Sequence, residues 1–104
     1  MRVQFQNVNL KELYRKGSSR KYKNVPTQVV QKLVKAVAVL ESAICIQDVW
    51  NFPGYKIEKL ANSERYSMRM NVQWRLELII IWTDENKVSV DVVNLVELSK
   101  HYGD

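Results

Sequence analysis

Only one cysteine, Cys45, and one histidine, His101, occur among the 104 residues. A lone thiol forms no internal disulfide, and one histidine with one cysteine makes no convincing metal cluster. The expectation is a domain that needs neither staples nor a cofactor, because a chain of this size buries a modest core without them. Absence of disulfides fits a reducing, cytoplasmic setting. No apolar run approaches the ~20 residues that cross a bilayer. The opening "MRVQFQNVNLKELY" lacks the apolar centre of a secretory signal, so no membrane association is expected. No internal repeat or low-complexity tract breaks the chain, and residues 1–104 read as a single domain.

Acidic residues are scarce in one half. Residues 1–50 carry nine Lys/Arg against three Asp/Glu, whereas residues 51–104 carry seven against eight. Most of the excess lies in "RKGSSRKYK" (15–23), with Arg15, Lys16, Arg20, Lys21 and Lys23 and no acid. Such a patch suits nucleic acid or an acidic protein. It suits a solvated loop equally well on charge alone.

"RVQFQ" (2–6) alternates as a short strand. Asn7 or Asn9 caps a helix over "LKELYRK" (10–16), with Leu10, Leu13 and Tyr14 on its apolar stripe and Gly17 at its end. Pro26 suits the first turn of a longer helix, about 26 to 45. Its apolar stripe holds Val29, Val30, Leu33, Val34, Val37, Leu40 and Ile44. Cys45, at the end of that stripe, reads as a small core residue. "QDVWNFPGY" (47–55) reads as a connector. Strand-like segments follow at 55–60, 64–71, 74–82 and 88–98, joined by short links. Short links between sequential strands predict a mostly antiparallel sheet, with both helices on one face. The fold class is therefore α+β: two N-terminal helices packed on a twisted, mostly antiparallel sheet.

Period two sorts the hairpin "RYSMRMNVQWRLELIIIW" (65–82) by face. Tyr66, Met68 and Met70 point one way, with Trp74, Leu76, Leu78, Ile80 and Trp82 sharing a face on the next strand. Arg65, Ser67, Arg69, Arg75 and Glu77 take the polar side. Two readings stand for these arginines. Arg75 with Glu77, or Arg69 with Glu58, forms a cross-strand charge ladder. Alternatively, the strand pair presents guanidinium forks that bond phosphate bidentately.

"GYKIEKLANSERYSMRMNVQWRLELIIIW" resembles the signature of the HigB-like branch of the RelE/ParE superfamily of bacterial toxins. The matching parts are Pro53-Gly54, Glu58-Lys59-Leu60 and "YSMRMNVQWR" (66–75). "LKELYRKGSSRKY" (10–22) is similar to that family's first helix and basic loop. The resemblance covers essentially the whole chain and implies the same α+β fold. It implies a toxin that cleaves mRNA on the ribosome, neutralised by a HigA-like helix-turn-helix antitoxin. It further implies that the two proteins together bind operator DNA. Two relatives of that reading use the same scaffold: a ParE-like inhibitor of DNA gyrase, and a decayed toxin that only binds its antitoxin.

Cleavage of RNA through its 2′-hydroxyl needs a base, a cation for the crowded phosphate and an acid for the leaving 5′-oxygen. Arg69 and Arg75 are the expected phosphate contacts. His101 is the one side chain with an ordinary pKa near neutrality, which makes it the expected acid or base, with Tyr102 beside it. Glu58 is a candidate base. Lys59 and Arg65 add positive charge for RNA, and the basic loop 15–23 would meet ribosomal RNA phosphates.

Overall fold

The computed structural model describes residues 1–100. His101 and Tyr102 lie outside the described residues. The chain runs β1 (Arg2–Phe5), α1 (Val8–Lys16), α2 (Thr27–Ser42), α3 (Ile46–Trp50), β2 (Glu58–Lys59), β3 (Arg65–Arg69), β4 (Trp74–Trp82) and β5 (Val90–Lys100). Asn7 caps α1: its Oδ1 accepts the N–H groups of Asn9 and Leu10 at 2.9 and 3.1 Å. Gly17 closes the helix at φ 80°, where a side chain would be strained, and donates its N–H to the Leu13 carbonyl.

Helix α2 buries Val29, Leu33, Ala36, Val37 and Leu40, a stripe at three- and four-residue spacing. Two expected members of that stripe are not on it. Val34 is 42% exposed, because it lies on the flank of the helix. Ile44 is 92% exposed, because the helix ends at Ser42 and Ala43 is extended. Pro26 stands just outside the helix, and its carbonyl accepts the first N–H groups, of Val29 and Val30.

The expected connector contains a helix of its own. In α3, Ile46 and Val49 are buried, and Trp50 packs edge-on against Tyr66 of β3 with ring centroids 6.0 Å apart. Cys45 is a half-buried residue at the start of this helix, not a core residue. Asp48 Oδ2 accepts the N–H groups of Ile44 and Cys45 there, at 3.1 and 3.3 Å.

The sheet order is β1-β5-β4-β3-β2, antiparallel throughout except for the parallel β1–β5 pair. β2 is shorter than the expected 55–60 strand. Lys56 takes φ 43°, which breaks extended backbone, and the Tyr55 carbonyl accepts the Arg69 N–H. β4 alternates as the pattern predicts, and Met68 of β3 joins Leu76, Leu78 and Ile80 in one buried cluster with the stripes of α1 and α2.

β5 departs from alternation. Leu78 pairs with Leu95, but Glu77 pairs with Glu97, so Val96 is an extra residue in the ladder. The step lets Leu95 and Leu98, three apart, both enter the core. Glu97 and Ser99 consequently turn to the opposite face.

The basic loop is anchored rather than free. Tyr22 is buried, its hydroxyl accepts from Asn7 Nδ2 at 2.9 Å, and it faces the backbone of Leu98 on β5. Burial pushes its phenol above the ordinary value.

The N–H of Cys45, and then that of Ile44, holds the Asp48 carboxyl below its usual range. A depressed carboxylate stabilises the fold above its unfolded pKa and loses that contribution as pH falls through the folded value. Asp48→Ala is therefore expected to lower Tm near neutral pH. The gap to wild type should close on acidification past the carboxylate range. A gap that stays constant in strongly acidic buffer would contradict this.

Candidate active site

The face of the sheet away from the helices carries two polar rows, set by strand register. Glu58, Ser67, Glu77 and Glu97 lie side by side across β2, β3, β4 and β5. One step towards the β3–β4 turn lie Arg69, Arg75 and Ser99. Between the rows is a cavity of about 220 Å³, lined by Glu58, Leu60, Ser67, Arg75, Glu77, Ser99 and Lys100. Ser67 is only 3% exposed although it points to the polar face, with Glu58 and Glu77 as its register partners on either side.

Arg75 is held at the rim. Its Nη1 donates to the carbonyls of Asn71, Val72 and Trp74 at 2.8, 3.3 and 3.1 Å. It makes no ion pair with Glu77 among the described residues, so that proposed rung of a charge ladder is not formed. Arg69 sits opposite Arg75 in register, half-buried, and forms no ion pair with Glu58. Arg69 and Arg75 pair in register with no carboxylate opposite either of them on these two strands, which makes this end of the face positive.

The ladder that does form belongs to Arg65. Its Nη1 reaches Glu77 Oε1 at 3.1 Å and Glu97 Oε2 at 3.0 Å. The hydrogen bond to Glu77 first, and that to Glu97 second, hold its guanidinium above the ordinary value. Glu77 and Glu97 are direct cross-strand partners, an arrangement that repels unless a cation lies between them. Arg65 supplies that cation, so its charge is used within the sheet. Lys59 is also directed elsewhere: its Nζ donates to the Ser63 carbonyl at 2.8 Å, in the β2–β3 turn.

Arg15 and Lys16 occupy the last turn of α1, where positive charge complements the helix dipole. Arg20 and Lys23 line a wide, open cavity of about 730 Å³ with Glu12, Ser19 and Tyr22. Lys21 lies 5.8 Å from the Tyr22 ring centroid. The structure thus brings Glu58 and Arg75 to one cavity, with Arg69 beside it, and keeps Arg65, Lys59 and the loop cations outside it. Ser67, Ser99 and Lys100 join that cavity without having been singled out, and Glu77 joins it although read only as a ladder partner of Arg75. Parity was enough to place Ser67 beside Arg69. Nothing in the pattern revealed the extra residue at Val96 that brings Ser99 to this face.

Removing Arg65 leaves two facing carboxylates, with side-chain exposures of 16% for Glu77 and 40% for Glu97. Arg65 itself is 37% exposed, so solvent screening weakens the effect. Arg65→Met is expected to cost about 1–2 kcal/mol, between the exposed and buried limits for ion pairs. Adding Glu97→Gln should recover part of it, and the loss should shrink at high salt. Urea unfolding of the single and double variants tests this; a single variant as stable as wild type at low salt refutes it.

The family model described as the RelE-like toxin of the type II toxin–antitoxin system HigB matches residues 3–95. Comparison with curated proteins finds no match. Two solved structures share the fold: the YoeB-YefM complex from Staphylococcus aureus, and the heterotetrameric YoeB-YefM toxin-antitoxin complex from the same organism. In each the alignment spans 98% of both chains at 17% identity, with a TM-score of 0.56. The matched family spans all but the ends of the chain, and Glu58, Ser67, Arg69, Arg75 and Glu77 lie within the matched residues. This protein belongs to the HigB-like, RelE-type toxins of type II toxin–antitoxin systems.

Proposed function

We propose that this toxin is an endoribonuclease that cuts mRNA on the ribosome and so stops translation. The observation that carries the reading is the meeting of Glu58 and Arg75 at one cavity on rigid strands, with Arg69 alongside. Glu58 takes the proton of the 2′-hydroxyl, and the freed oxygen attacks the adjacent phosphorus. Arg75 and Arg69 stabilise the charge that builds on the phosphate oxygens. The 5′-oxygen leaves with a proton from His101 or Tyr102, which follow Lys100 in the sequence. Arg65 serves this site by offsetting one of the two negative charges of Glu77 and Glu97, which weakens their repulsion of an anionic strand.

The basic loop, with Arg15, Lys16, Arg20, Lys21 and Lys23, docks on ribosomal RNA phosphates. Its anchor, Tyr22 against β5, supports this role by fixing the loop to the strand that carries Ser99 and Lys100. A HigA-like helix-turn-helix antitoxin neutralises the toxin, and the complex binds operator DNA. The toxin–antitoxin complexes formed by the structural relatives support a proteinaceous antitoxin. The site of action is the cytoplasm; among the described residues no helix is long and apolar enough to cross a membrane.

Cleavage of mRNA in translating ribosomes, mapped by primer extension, tests the chemistry. Arg75→Ala should lower the cleavage rate by about 10²–10³, and Glu58→Gln or His101→Ala by about 10²–10⁴. Arg75→Lys should not restore the loss, because an ammonium lacks the planar fork. A toxic wild type that leaves transcripts intact and inhibits gyrase supercoiling would reject the nuclease reading.

Docking is tested separately. Charge reversal at Arg20, Lys21 and Lys23 should abolish co-pelleting with ribosomes at moderate salt, and added salt should weaken wild-type pelleting in the same direction. Undiminished pelleting of the reversed variant at low salt would remove the loop from the interface.

A further inference from the structure

We infer that Asn71 is the positioning residue for Arg75, acting through the β3–β4 turn rather than by touching RNA; the inference rests on the nuclease reading above. Asn71 Oδ1 accepts the N–H groups of Gln73 and Trp74 at 2.8 and 2.7 Å. One side-chain oxygen thereby folds the backbone of the link into an Asx-type turn. Within that turn the carbonyls of Asn71, Val72 and Trp74 converge on a single atom, Arg75 Nη1. Trp74 O also receives the N–H groups of Met70 and Asn71, at 2.9 and 3.3 Å, which ties the turn back to β3.

The consequence for Arg75 is geometric. An arginine side chain has several rotatable bonds, and at a cavity rim it would sample many of their rotamers. Three carbonyls on Nη1 remove most of that freedom. They also use up only one corner of the fork. The Nε–Nη2 edge has no hydrogen-bond partner among the described residues, and that edge is the side-on pair of donors that matches two phosphate oxygens. Arg75 is therefore preorganised with its unbonded edge available at a cavity it lines. The ordering cost is met when the protein folds and not when RNA arrives.

Asn71 holds this arrangement through its oxygen and its short reach, which makes the variants diagnostic. Ser keeps an oxygen able to form the same kind of turn, more weakly. Gln keeps the amide but sets it one methylene too far away. Under the inference, Asn71→Ala and Asn71→Gln each lower kcat for mRNA cleavage by about tenfold to a hundredfold, with KM nearly unchanged, and Asn71→Ser recovers most of the rate. In ¹⁵N NMR of the purified toxin, the Arg75 guanidinium shows hindered rotation in wild type and Asn71→Ser. It rotates freely in Asn71→Ala and Asn71→Gln.

An active Gln variant beside an inactive Ser variant would overturn the inference, since the amide itself would then be the working group. A hindered Arg75 in Asn71→Ala would overturn it too. The NMR pattern needs no RNA. If it holds while the wild type cuts no transcript, the positioning role stands and the nuclease reading fails.

Discussion

The extra residue at Val96 in β5 is the constraint on which the rest of this sheet depends. A regular strand would send Leu95, Glu97 and Ser99 to one face. That would put a carboxylate into the core and leave Leu98 in water. The bulge places Leu95 and Leu98 inside, against the stripes of α1 and α2, and turns Glu97 and Ser99 out. Burying a full leucine side chain is worth roughly 1.5–3 kcal/mol, whereas an isolated carboxylate in the core costs several. The core therefore selects the bulge, and the outer face inherits its geometry. Glu97 then lies opposite Glu77, and Ser99 opposite Arg75.

That inheritance sets up a charge problem that Arg65 solves. Two like charges on adjacent strands repel, and Arg65 reaches both with one nitrogen. With one of the two charges of Glu77 and Glu97 offset, the positive end of the face belongs to Arg69 and Arg75. The division of labour among three arginines follows. Arg65 stabilises the sheet, Arg75 is clamped by the turn with one edge open, and Arg69 stands beside it. Residue type alone does not separate these roles, because each arginine has the same fork. What separates them is which acceptors the register brings within reach.

Much of the architecture was legible in the chain. Asn7, Gly17, the stripe of α2 and the alternation of β4 are local signals, and the elements formed where those signals lie. The failures were local signals overridden by context. Val34 and Ile44 fit the apolar period but find no partner surface, since α2 packs on one side only and stops at Ser42. The stretch 55–60 reads as a strand, yet Lys56 adopts a positive φ and only Glu58 and Lys59 pair. α3 was hidden because five residues carry too little periodicity to announce a helix. At the candidate site, parity put Arg69 and Arg75 on one face. It could not show that Glu77 would be claimed by Arg65, nor that Lys59 would turn to Ser63.

The chain by itself determined the long elements, the two faces of the hairpin and the family, because those depend on residue order, period and motif. Tertiary structure decided which charges remain available. Glu58 and Arg75 come to line one cavity only because β2, β3 and β4 align in register, Arg65 gains its second carboxylate only because the β5 bulge delivers Glu97, and the basic loop is fixed only because Tyr22 finds β5. Each of these brings together residues distant in sequence. Such juxtapositions follow from how the core packs, which no local pattern along the chain records.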